Sequence, residues 1–366
     1  MRVVFVNRYF QPDHSATSQI ASDLAEHLAG RGWDVAAIAC RQRYDDPNAR
    51  LPPRETWNGV AIRRVWSTRF GRAGLAGRAI DYLTFYASAF FAIRRERRAV
   101  IVAMTDPPML SVLAALAAPR VVNWLQDLFP EVAEALGIRA PRFLRRIRDW
   151  SLRRARANVV LGGRMAARVP KAVVIHNWAD ANLRPIDDAG PRRSFSVGYS
   201  GNLGRAHEFG TIIGAMQQLP DVRFVFTGGG AQLESVRRAA GANAEFRPYA
   251  PRERLSESLS SVDAHLVSLQ PSLEGLIVPS KFYGVLAVGR PVIFIGARDG
   301  ELARLIEEHR CGAVVEPGDV DGLKRAIAEV AGDREMSRRG RELYLARFAP
   351  HHAFAAWERV IEEAAS

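Results

Sequence analysis

Short apolar bursts alternate along the chain with longer segments whose apolar residues recur every three or four positions. Val3-Val4-Phe5-Val6 leads into a polar stretch, residues 7–18, and then into Ile20, Leu24 and Leu28, with Gly30 and Gly32 behind them. An apolar run of that length fits a strand buried on both faces, and the spacing of four fits one helix face. The opening is therefore predicted as a β-loop-α unit. Further bursts at 35–39, 60–66, 100–104, 121–125, 159–161 and 173–175 are mostly separated by helical stretches. Such alternation predicts a parallel, doubly wound sheet.

The rhythm restarts after Asp187-Asp188-Ala189-Gly190-Pro191, a polar run of linker character. Strands are predicted at 195–199, 224–226, 264–269, 292–295 and 313–315, with helices at 212–219 and 233–240 and glycine turns at 201–204 and 228–230. A final helix is predicted at 354–364 with no strand after it. The pattern gives an α/β protein of two Rossmann-like domains, an N-terminal half, 1–188, and a C-terminal half, 189–348, with a C-terminal segment, 349–366, that packs back across the domains. The 366 residues, 48% of them apolar, suffice for two cores.

Charge narrows the class of ligand. Lys and Arg number 51 against 39 Asp and Glu, a net +12 that favours phosphate-bearing ligands, nucleic acid or an anionic membrane. Cys40 and Cys311 are the only cysteines, which excludes a disulfide framework or a Cys-rich zinc site and fits a reducing cytoplasm. The apolar run at the amino terminus is too short for a secretory signal. The longest apolar stretch, 79–93, is too short for a span and carries Asp81.

Two stretches carry candidate chemistry. Tyr199-Ser200-Gly201-Asn202-Leu203-Gly204-Arg205 puts glycines and a cation directly behind a strand, where backbone amides can approach a phosphate; a tight turn explains the glycines equally well. Gly228-Gly229-Gly230 is a weaker version. From Glu274-Gly275-Leu276-Ile277 through Pro279-Ser280-Lys281 to Gly289-Arg290-Pro291-Val292, a loop enters a short helix that returns to a strand. Ser280 has the character of an N-cap, and Lys281 is badly placed against the helix dipole unless an anion sits there, which points to a diphosphate.

Residues 201–207 and 274–293 together resemble the retaining family-4 glycosyltransferases. Gln126-Asp127-Leu128-Phe129-Pro130 and His176-Asn177-Trp178-Ala179-Asp180 extend the likeness over nearly the whole chain. The branch it is most similar to makes bacterial surface polysaccharide and includes the L-fucosamine transferase of O-antigen assembly. The resemblance implies two Rossmann domains facing a cleft (GT-B). It also implies a nucleotide-diphosphate sugar donor, UDP-linked, and transfer with retention to a polyprenyl-diphosphate-linked glycan at the inner face of the plasma membrane. Neither cofactor nor essential metal is implied. Donor contacts would come from Gly201, Asn202, Arg205, Gly228, Glu274, Gly275, Leu276, Ile277, Ser280 and Lys281.

The sequence departs from the wider family in one respect. Of two glutamates with seven residues between them, the second falls at Gly284 and the first at Leu276, so Glu274 would serve only with a shifted loop. The family's first-loop Arg and Lys fall at Asn202 and His207.

In the first half, His14 and Ser15 follow strand one and Gln126 and Asp127 follow another strand, so all four are expected at the strand carboxyl ends. His14 and Asp127 are the catalytic candidates beside Glu274, and Ser15 and Gln126 the acceptor-side ones. Asp127 serves equally well as a turn cap. Asp319-Val320-Asp321 spells a metal signature but opens a helix, which predicts N-capping. Between Arg139 and Arg156 lie eight arginines and one acid. Arg142, Arg145, Arg146, Arg148 and Trp150 would make a helix suited to anionic lipid, unless its apolar stripe, Phe143, Ile147 and Trp150, packs on the sheet. Two other functions fit the architecture or the charge. A nucleotide-sugar 2-epimerase would need acid/base carboxylates and histidines that this sequence does not place. A nucleic-acid binder would need arginines interleaved with exposed aromatics.

Overall fold

The computed structural model describes residues 1–71, 74–186 and 194–366. The linker stretch 187–191 falls outside the described residues. The chain forms two compact units, Met1–His176 with Phe354–Ser366, and Asn177–Ala353.

The first unit holds β1 (Arg2–Val6), β2 (Asp34–Cys40), β3 (Arg54–Trp57), β4 (Val60–Val65), β5 (Val100–Ala103), β6 (Val121–Trp124), β7 (Ala157–Val160) and β8 (Ala172–Val174). Its helices are α1 (Ala16–Gly30), α2 (Leu75–Arg95), α3 (Leu110–Ala117), α4 (Glu131–Ala135), α5 (Arg142–Arg154) and α6 (Gly163–Ala166). The sheet order is β3-β4-β2-β1-β5-β6-β7-β8, parallel throughout except for β3 against β4. Val3 to Val6 are all buried because β1 is a central strand covered on both faces, which is why the opening reads as an unbroken apolar run. One core cluster joins Val4, Val6 and Ile38 to Phe85 and Ile93 of α2 and Leu110 of α3.

The second unit holds β9 (Ser196–Ser200), β10 (Arg223–Thr227), β11 (Ala244–Arg247), β12 (Ala264–Ser268), β13 (Val292–Ile295) and β14 (Gly312–Val315). Its helices are α7 (Gly210–Gln218), α8 (Leu233–Ala239), α9 (Leu255–Ser260), α10 (Lys281–Ala287), α11 (Glu301–His309), α12 (Val320–Gly332) and α13 (Glu335–Leu343). All six strands are parallel in the order β11-β10-β9-β12-β13-β14, the Rossmann arrangement in which the order reverses between β9 and β12.

Two features depart from the sequence reading. The units divide at 176/177, twelve residues before the linker composition suggests. Asp180 pairs with Arg252, and the amides of Arg184 and Ile186 donate to the hydroxyls of Ser256 and Ser260, so this segment is anchored to the second unit. The strands β3 and β11 went unread because neither carries an apolar run. The first was still signalled by Asn58-Gly59, whose φ values of 46° and 81° make the two-residue hairpin turn that joins β3 to β4. The final helix, α14 (Pro350–Ala365), returns its residues from Phe354 onward to the first unit, where buried Trp357 lies 4.5 Å from Trp124, ring centroid to centroid.

Candidate functional site

In the second unit, β9 and β12 diverge at the reversal of strand order, and parallel sheets bind ligands outside the carboxyl ends of strands at such a point. β9 runs into the loop 201–207. β12 runs through a 3-10 turn, Pro271–Leu273, into the segment that leads to α10. Lys281, the first residue of α10, reaches back to the β9 loop. Its Nζ donates to Tyr199 Oη at 2.5 Å, lies 3.4 Å from the Asn202 carbonyl and sits 3.8 Å from the centre of the Tyr199 ring. The Tyr199 hydroxyl in turn donates to the Asn202 carbonyl at 3.1 Å.

Among the described residues no carboxylate pairs with Lys281, and loss of hydration lowers it to about 7. His207 donates through Nδ1 to the Ser268 carbonyl at 2.6 Å. Burial first, and then the Lys281 charge, lower its pKa to about 3, so it is a neutral imidazole. Among the described residues the site is thus a cation without a counter-charge, set among neutral groups.

The two glycine turns serve each other as well as any ligand. Gly201 donates to the Thr227 carbonyl at 2.8 Å and Leu203 to the Gly229 carbonyl at 2.7 Å, so two amides of the first loop are already spoken for. Gly228 and Gly230 have φ of 133° and 138°, and a β-carbon at either would overlap the first loop, on the Gly201 carbonyl or on Asn202. Gly228 is therefore required for loop-on-loop packing, a tighter constraint than the phosphate cradle read from sequence. Asn202 and Arg205 are exposed beside this contact.

Glu274 is buried, and its Oε1 accepts the Glu301 amide at 2.9 Å, the first of α11; a β-carbon at Gly300 would stand 2.7 Å from its other oxygen. The carboxylate is held by a helix amino terminus, a favourable partner for negative charge. Gly275, with φ of 73°, turns the chain there, and the amides of Leu276 and Ile277 both point to the Leu273 carbonyl, at 3.0 and 3.4 Å. Ser280 occupies the N-cap position of α10, but its backbone is already helical and its side chain makes no capping bond, so the predicted cap is positional only. At Gly284 a β-carbon would face Leu259 and Leu183 at 3.5 and 3.8 Å. A carboxylate there would start out against leucines. Replacing Glu274 by Gln keeps an oxygen for the Glu301 amide and should cost under about 1 kcal/mol of stability by the size of charge–dipole terms. Urea unfolding measures this.

Tyr249 was not singled out from sequence. It follows β11 in Phe246-Arg247-Pro248-Tyr249, is 59% exposed, and its hydroxyl donates to the Gly229 carbonyl at 3.3 Å. The signal lay in an aromatic placed just beyond a strand-ending proline. Asp319 caps α12 by accepting the Gly322 amide at 2.7 Å, as its sequence position predicted.

His14, Ser15, Gln126 and Asp127 belong to the first unit, in loops behind β1 and β6. His14 is exposed and engages Gln19 through its carbonyl only, at 3.0 Å; Ser15 stands at the N-cap of α1 without a side-chain capping bond. Asp127 is exposed, yet protein around its carboxyl, helped by the Asp106 charge, pushes it up to about 6.

The basic helix α5 needs one correction. Arg148 is only 11% exposed and is held bidentately by Glu131 at 2.6 and 3.0 Å and by Asp149 at 2.7 Å. Arg145 pairs with Glu134 as well. These two arginines fasten α5 to α4, because a guanidinium that leaves water takes up the nearest carboxylates. Arg142 and Arg146 are exposed without an ion pair among the described residues, and Phe143, Ile147 and Trp150 line the helix at 57, 39 and 39% exposure. On α2, Phe85 is buried in the core and Phe91 is exposed.

Two doubly wound, largely parallel sheets, the second carrying Lys281 at its switch point, define a protein of the Rossmann-like α/β class. The chain belongs to the family-4 glycosyltransferases. Residues 16–183 match the glycosyl transferase 4-like domain, and residues 194–333 match the glycosyl transferases group 1 domain. It is similar to the Pseudomonas aeruginosa protein named as a glycosyltransferase, WbjE, with 28% identity over 69% of this chain and 71% of the relative. It is also similar to WcaI of Escherichia coli (strain K12), named as a colanic acid biosynthesis glycosyl transferase, with 24% identity over 90% of this chain and 92% of that one. Anabaena HepE, solved with UDP and glucose, has the same fold, with a TM-score of 0.72, 15% identity and 99% of both chains covered.

Proposed function

We propose that the protein is a retaining glycosyltransferase that moves a sugar from a UDP-sugar to a polyprenyl-diphosphate-linked glycan in surface-polysaccharide synthesis. The observation that carries this reading is Lys281, an uncompensated, poorly hydrated ammonium at the switch point of the second unit. A diphosphate supplies the charge it lacks. The UDP held by HepE and the polysaccharide named for WcaI support the donor and the pathway class.

In this reading the acceptor hydroxyl attacks the anomeric carbon on the face from which the diphosphate leaves, and a diphosphate oxygen takes the hydroxyl proton. No protein nucleophile and no metal take part. Lys281 stabilises the departing charge, Glu274 orients the donor sugar, and Tyr249 flanks the nucleotide. In the first unit, Asp127, His14, Ser15 and Gln126 meet the acceptor. Purified protein incubated with UDP-sugars and a lipid-linked acceptor should give an extended glycan with retained anomeric configuration, read by mass spectrometry and NMR. Formation of an epimeric UDP-sugar without any acceptor would overturn the reading in favour of epimerase chemistry.

The same reading places the enzyme peripherally on the inner face of the plasma membrane. No helix among the described residues is long and apolar enough to cross a membrane. The exposed stripe of α5 with Arg142 and Arg146 gives an amphipathic contact for anionic lipid. At about 1 kcal/mol per cation, replacing both arginines by alanine should weaken binding to anionic liposomes roughly 30-fold. Unchanged co-sedimentation of that double variant would remove α5 as the contact.

A further inference from the structure

The first unit contains a cavity of about 90 Å³, larger than one water needs, where three loops leave the carboxyl ends of β1, β2 and β4 beside the start of α2. Arg8, Arg43, Arg69 and Arg78 line it, against only Asp45 and Asp81. Asp81 is buried and spends its oxygens on the Thr68 hydroxyl at 2.7 Å and on the Phe70 and Gly71 amides, each at 3.0 Å, leaving Arg8 Nη2 at 3.4 Å. Arg8 is itself 94% buried, and its Nε has no hydrogen-bond partner among the described residues. The Arg8–Asp81 ion pair is a long one, and an anionic oxygen in the cavity would give the buried guanidinium a stronger, charge-assisted acceptor.

The wall of the cavity is tied to the acceptor-side loop. Tyr44, which lines it, donates its amide to Asp13 at 2.5 Å, while the other Asp13 oxygen accepts the Ser15 amide at 2.8 Å, next to His14.

We propose that this cavity is an anion subsite that takes a phosphate or diphosphate group of the acceptor, distinct from the Lys281 site that takes the donor. The assignment to the acceptor rests on the transferase reading; the existence of the anion site does not. Calorimetry with inorganic diphosphate, on the full chain saturated with UDP, should reveal one remaining site. Combining Arg43→Ala with Arg69→Ala, which leaves the buried Arg8 in place, should weaken it at least tenfold without lowering the melting temperature. No diphosphate binding beyond the UDP-competed site, or equal affinity in the double variant, would overturn the subsite.

Two further arms decide the source of the anion. The ratio of kcat/KM for the diphosphate-linked acceptor to that for the same glycan on an uncharged alkyl chain should fall at least tenfold in the double variant. An unchanged ratio would overturn the acceptor assignment. So would displacement of inorganic diphosphate from this cavity by phosphatidylglycerol vesicles, which would make it a lipid-headgroup site. If no acceptor is extended under any condition, the transferase reading fails while the calorimetry still decides the subsite.

Discussion

Replacing Lys281 by alanine should weaken UDP binding about 10- to 100-fold, the range for a charge-assisted contact of about 1.5–3 kcal/mol, and should lower turnover by a further factor of about 100 or more. Two costs combine. The ground state loses its ammonium, and the transition state, in which the leaving diphosphate gains charge, loses the only cation that α10 aims at the β9 loop. Titration calorimetry gives the first factor and single-turnover kinetics the second. Equal UDP affinity in the variant would mean that another group holds the diphosphate.

The same lysine sets the pH dependence. With its pKa lowered to about 7, it is charged below neutrality and loses its proton as pH rises through 7, so UDP affinity should fall from pH 6 to pH 8.5. Diphosphate favours the charged form, so binding near pH 8 should take up a proton. Calorimetry in two buffers of different ionisation enthalpy measures that uptake, and Lys281→Ala should abolish it. Uptake that persists in the alanine variant would assign it to another group.

The second large effect is structural. Trp357 is fully buried, although only the last turns of the chain carry it, and its ring packs against Trp124 at the end of β6. Trp357→Ala removes a large aromatic surface and leaves a cavity between helix and sheet, which should cost about 3–5 kcal/mol. The urea midpoint of the first unit's transition should drop accordingly. A shift under 1 kcal/mol would show that α14 contributes little to that unit.

Much of the site was legible because its chemistry is local. Gly201, Gly228 and Gly275 announce left-handed backbone by composition, and Lys281 at a helix start conflicts with the dipole whatever surrounds it. Asp319 was legible as a cap for the same reason. By contrast, Arg148 looked like one more surface cation in a basic run, and only packing shows that Glu131 has claimed it. Glu274 likewise carries no mark in sequence of its bond to the amide of Glu301, 27 residues on.

The sequence by itself determined the two α/β halves, because doubly covered parallel strands must be apolar throughout and crossover helices must carry one apolar stripe. It also determined which loops bear glycine and charge. The tertiary structure alone decided where the second unit begins, which strands join a sheet edge without an apolar run, and which charges are spent on partners. It alone brought Arg8, Arg43, Arg69 and Arg78 to one cavity. Those outcomes depend on pairings between residues far apart in the chain, and neither periodicity nor composition encodes which distant carboxylate a buried guanidinium will meet.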